Sequence, residues 1–156
     1  MTPYIIKIVA GVISTVGFAI IFRLKPSHWP FAALDGLVAC LCYFAFTELI
    51  GGVFWPNALA AFFTAFGAEI FSRVCKAPTT VFLLPGCIAL VPGGTLYYTM
   101  SNFLSENYNV ASEYLLITVE VGVAIGAGII LASILRLAIF KFIEQVKSKK
   151  QHKQAE

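Results

Sequence analysis

The chain has 156 residues, 59% of them hydrophobic and only 12% charged, with a mean hydropathy of +0.85 and a net charge of +3. Soluble domains carry about 25% charged residues, so this balance excludes a water-soluble globular fold and points to an integral membrane protein. The surplus positive charge sits at segment ends and near the C-terminus, which argues against a nucleic-acid partner.

Apolar runs measured against the ~20 residues that a spanning helix needs give five spans, and an all-α fold. The first runs from Tyr4 to Leu24, with Lys7 near its start and Arg23 and Lys25 at its end. A signal peptide would look similar, but no A-x-A-like cleavage site precedes Arg23, so a retained span is expected. Gly11, Ser14, Thr15 and Gly17 thin one part of it and suit a helix–helix contact. The second span is Phe31 to Ile50, with Asp35 and Glu48 towards its ends, where water and headgroups are expected to reach them. The third, Pro56 to Cys75, holds Glu69 well inside it.

The fourth span, Thr79 to Leu104, contains Pro85-Gly86 and Pro92-Gly93-Gly94. Proline removes a backbone donor and clashes with the preceding turn, so this span is expected to break at both steps. The fifth runs from Ser112 to about Lys141 and is expected to continue as a water-exposed helix towards Lys147. Residues 1–145 thus read as a five-helix transmembrane domain, and 146–156 as a basic tail. Connections such as KPSHWP and GGVFWP are short and make neighbouring spans antiparallel. Trp29 and Trp55, each beside a proline at a span boundary, suit the aromatic belt.

Cation positions orient the spans. Arg23 and Lys25, Arg73 and Lys76, and the group from Arg136 to Lys153 all fall on one side of a five-span chain, leaving only Lys7 of the eleven elsewhere. The positive-inside rule then puts the N-terminus outside and the C-terminus in the cytoplasm.

Polar groups inside the spans are the candidates for chemistry. A charged side chain at mid-bilayer costs ~2.5–3.5 kcal/mol on insertion scales, so Glu69 and Glu120 read as proton-coupling or charge-pairing carboxylates. Glu69 has a bland alternative, an ion pair with Arg73 one turn later, and Lys76 lies just beyond. A break at membrane depth frees backbone groups, which persist only where they are buried in protein or line a watery cavity. The start of the second half-helix then carries roughly +0.5 charge and suits a carboxylate. Pro85, Gly86, Pro92, Gly93, Gly94, Thr95, Tyr97 and Tyr98 are therefore the candidate substrate path. The bland reading is a kink whose glycines allow close packing. Gly122 with Gly126, and Ala124 with Gly128, follow the small-xxx-small pattern of helix contacts.

Cys40, Cys42, Cys75 and Cys87 fit neither a metal site nor a disulfide framework, and read as packing residues. The only histidines, His28 and His152, lie in a loop and in the tail. No hydrolase elbow, P-loop or dinucleotide fingerprint is present, so neither an enzyme nor a cofactor is expected.

The run from Glu69 to Tyr98, EIFSRVCKAPTTVFLLPGCIALVPGGTLYY, resembles the signature of the bacterial threonine/serine exporter family. The similarity is to the family's C-terminal half, which also occurs alone as the small subunit of split exporters. Specific identity rests on about thirty residues, and the matching positions are Glu69, Arg73, Lys76, Pro78, Pro85, Gly86, Pro92, Gly93 and Tyr97. Ala89 departs from the pattern, since many relatives have proline there, which leaves the shape of the break open. The resemblance implies secondary transport in a bacterial cell membrane, with a larger membrane subunit as partner. Its substrate would be threonine or serine, with succinate as the alternative. A scaffold subunit that only stabilises a partner is the rival of another class.

Overall fold

A computed structural model describes residues 2–154, with side chains for residues 4–139 and 141. It holds α1 (Thr2–Ile21), a 3-10 turn at Pro26–His28, α2 (Trp29–Ile50), α3 (Phe54–Cys75), α4 (Thr80–Ile88), α5 (Gly93–Leu104) and α6 (Tyr108–Gln154). No strand occurs among the described residues. Four helices are long and apolar enough to cross a membrane, and α4 with α5 makes a fifth if the bent pair counts as one span. The chain is an all-α integral membrane protein.

Each helix end has a local cause. Pro30 stands in the first turn of α2, where a missing N–H costs nothing. Lys76 closes α3 in the left-handed conformation at φ 50°. Gly51 and Gly52, both at positive φ, turn the chain between α2 and α3.

The fourth span breaks once, and the sequence leads one to expect twice. Helix α4 passes through Pro85-Gly86, and the interruption falls at Ala89–Pro92, where the two halves bend by 53°. Pro85 is the sixth of nine residues in a short helix, so its missing donor leaves a single carbonyl, that of Val81, without its helical partner. Pro92 instead caps α5 at φ −77°, ψ 56°, outside the helical region. The last helix continues to Gln154, past Lys141, the expected end of the fifth span. The side chains of the tail expected at 146–156 lie outside the described residues.

Helix α3 packs against α2, α4 and α6, while α4 is enclosed by α1, α2 and α3, and α5 lies along α6. The packing is built on small residues. Ala39, Ala60, Ala61 and Leu90 form one core cluster, and Ala19, Leu24 and Ala32 another. Lipid tails are as apolar as leucine, so close backbone approach is what holds such helices together. Large apolar side chains accordingly face outwards, among them Ile13, Leu49, Leu116 and Ile134.

Candidate functional site

Three features converge on α4 and its ends. At the end nearest α3, Glu69 is tied by three elements. Its Oε1 accepts from Arg73 Nη2 at 3.1 Å, and its Oε2 from Arg136 Nη1 of α6 at 3.2 Å. Thr79, just before α4, donates to Oε2 at 2.8 Å and lies 3.2 Å from Ser72 Oγ. The expected Glu69–Arg73 pair is thus present, and a second guanidinium shares the carboxylate. Beside it opens a cavity of about 230 Å3 bordered by Thr79, Thr80, Ser133 and Arg136. Lys76 stands apart, exposed, on a separate cavity of about 330 Å3 with Arg23, Lys25 and His28. Glu120 is also apart: it is exposed on α6, with no ion pair or hydrogen bond among the described residues.

The second feature is the break itself. No side chain caps α5, and the N–H groups of Gly94 and Thr95 have no acceptor on the preceding turn. These donors border a cavity of about 340 Å3 whose other walls come from Tyr43 of α2, Asn57 of α3, and Ile117 and Val121 of α6. Thr95 Oγ1 donates to the Pro92 carbonyl at 3.0 Å, and Thr118 Oγ1 of α6 lies 2.9 Å from it. Pro92, Gly93, Gly94 and Thr95 are therefore brought together around one space. Tyr97 and Tyr98 are not: both are exposed, and Tyr98 stacks on Tyr114 of α6 with centroids 5.3 Å apart.

The third feature was misread in the sequence. Asp35 does not lie where water reaches it; it is 0% exposed in the centre of the bundle. Neither of its carboxyl oxygens has a hydrogen-bond partner among the described residues. A Cβ built on Gly67 of α3 would lie 2.6 Å from Oδ1, and one on Gly86 of α4 would run into Oδ2. Pro85 and Gly86, expected on the substrate path, are thus both buried within α4 and not at the break, with Gly86 against this carboxyl. Glu48 does sit at a helix end, where it accepts from Tyr4 Oη at 2.9 Å. A signal for Asp35 existed: it is the only aspartate in the sequence, and both residues that close over it are glycines.

The four cysteines are free, and no group of three or more metal-ligating side chains occurs among the described residues. The small-residue faces divide. Gly128 meets the Ala58 backbone and Ala61, whereas Gly122 and Gly126 face open space.

No curated protein and no solved structure matches the chain. A family model described as "Threonine/Serine exporter, ThrE" matches residues 7–135, which reaches every helix and takes in Glu69, Asp35 and the break, ending one residue before Arg136. The chain is a multi-pass membrane protein that belongs to the threonine/serine exporter family.

Proposed function

We propose that the chain is the small membrane subunit of a proton-coupled secondary exporter for a small hydrophilic metabolite of threonine/serine type. It works with a larger membrane subunit of the same family in a bacterial cell membrane. The N-terminus lies outside and the C-terminus in the cytoplasm, with residues 1–145 in or at the bilayer and 146–156 as a cytoplasmic tail. The observation that carries the reading is the cavity at the break, where the free N–H groups of Gly94 and Thr95 open onto a space shared by α2, α3 and α6. A substrate carboxylate suits those donors and the positive end of α5. The hydroxyl of Thr95, which lines the cavity and is held by Thr118 of α6, offers a partner for the rest of a hydroxy amino acid. Tyr97 and Tyr98, turned outwards on α5, belong in this reading to the face that the larger subunit covers.

Succinate is the second reading. It is favoured by the other cavity, at the far end of α4, where a diacid would meet the Arg136 guanidinium that Glu69 shares.

Counterflow into liposomes that hold both subunits and unlabelled substrate tests both readings. Labelled threonine or serine is expected to accumulate transiently. Counterflow of succinate alone selects the second reading, and counterflow of none of the three overturns transport by this subunit. A scaffold role requires that Thr95→Val leave substrate preference untouched; a changed preference removes it.

A further inference from the structure

Asp35 is a buried carboxyl without a partner, in a chain where other buried polar groups have theirs. Thr15 and Thr64, both 0% exposed, donate to the Gly11 and Ala60 carbonyls at 2.9 Å and 2.8 Å. Buried polar atoms in folded proteins are hydrogen-bonded, and an exception asks for a reason. An unpaired ion is unfavourable in so apolar a place, so such a group is either paired by something that comes and goes or changes its charge.

The surroundings say which. Its walls include Gly67 and Gly86, with the Thr64 methyl beside Gly86, and the hydroxyls of Thr64 and Thr15 are spent on their own helices. A metal cation would need several oxygen ligands, and this site offers only the carboxyl itself. A proton needs no more than that. No charged group from α1, α3 or α4 acts on Asp35 among the described residues. Among the described residues, its one recorded titratable neighbour is the Cys87 thiol of α4. His28, on the 3-10 turn, packs instead on Phe82 of α4, with ring centroids 5.6 Å apart.

We propose that Asp35 carries the coupling proton of the exporter, and that α4 is the gate that exposes it to water. This rests on the transport reading above. Hydronium on one side breaks an O–H bond to protonate the carboxylate and leaves as water; water on the other side takes the proton back as hydronium and restores the carboxylate. Gly86 closes the site from α4, a nine-residue helix flanked by the turn at Lys76–Thr79 and the break at Ala89–Pro92. Moving α4 away from α2 and α3 uncovers the carboxyl.

The single aspartate permits a test without mutation. Wild-type chain labelled with 13C at the aspartate side-chain carboxyl, in liposomes with its larger subunit, is titrated by infrared difference spectroscopy. The isotope-shifted band is expected to pass from carboxylic acid to carboxylate within the pH range over which the protein stays folded. One unchanging state throughout that range overturns the proposal. The second measurement is transport by Asp35→Asn. Accumulation driven by a pH gradient is expected to fall at least tenfold, and counterflow by this variant, whatever its rate, to become independent of pH. Gradient-driven accumulation at the wild-type level, or pH-dependent counterflow, also overturns the proposal. Failure of the wild type to move any substrate counts against the transport reading instead, and the infrared result stands apart from it.

Discussion

A methyl group on Gly128 of α6 would run into the Ala58 backbone oxygen and lie 3.0 Å from both the Ala61 Cβ and the Phe62 nitrogen. Backbone cannot swing aside as a side chain can, so Gly128→Ala forces α3 and α6 apart. Overpacking of this kind costs about 1–3 kcal/mol, and the variant is expected to lose thermal stability in detergent. Gly122, two turns earlier, has nothing within 4 Å, so Gly122→Ala is expected to stay within about 0.5 kcal/mol of wild type. Equal stability of the two variants would show that the α3–α6 crossing is loose enough to accept a methyl group. The sequence pattern names both glycines alike, because a small-xxx-small spacing marks a face without saying what it meets. Asp35 was hidden for the same reason. Its place six residues into α2 suggests a shallow site, and only the arrival of Gly67 and Gly86 from two other helices buries it.

At the scale of the element, helix positions were legible because hydrophobic length and loop residues determine them. The number of breaks was not, since tolerance of a proline depends on where the helix starts. Pro85 falls inside α4, sixth of its nine residues, and is absorbed with one hydrogen bond lost; Pro92 falls where α5 begins and defines it. The same rule supplies a test of the break as an anion site. Proline at the second position of a helix fits the backbone but has no N–H. Gly94→Pro is therefore expected to keep α5 and the protein yield while removing one of the two free donors. A hydrogen bond to a charged group contributes about 1.5–3 kcal/mol, so apparent substrate affinity in counterflow should fall about tenfold or more. Gly94→Ala keeps the N–H and should keep the affinity. Equal affinities in the two variants would place the substrate carboxylate elsewhere, with the guanidiniums at Glu69 next to be tried.

At the scale of the whole molecule, the question is whether α4 and α5 cross the membrane or dip into it and return. Gly128 of α6 lies against Ala58 of α3, and Arg136 of α6 reaches Glu69 of α3. Helices α3 and α6 therefore run in the same direction. The segment joining the end of one to the start of the other must climb back through the full height of the bundle. It does so: Thr79 bonds Glu69 at one end, and Thr95 shares a cavity with Asn57, near the start of α3, at the other. Such a path suits five crossings, which would put the cation clusters on one face, the arrangement that the positive-inside rule favours. Single cysteines placed at Lys76 and at Glu106, in a chain whose four native cysteines are serine, check this with a membrane-impermeant maleimide. Glu106→Cys is expected to react in intact cells, and Lys76→Cys only after the membrane is opened. Labelling of both from the same side would make α4 and α5 a re-entrant loop, reduce the crossings to four and bring the two chain ends to one side.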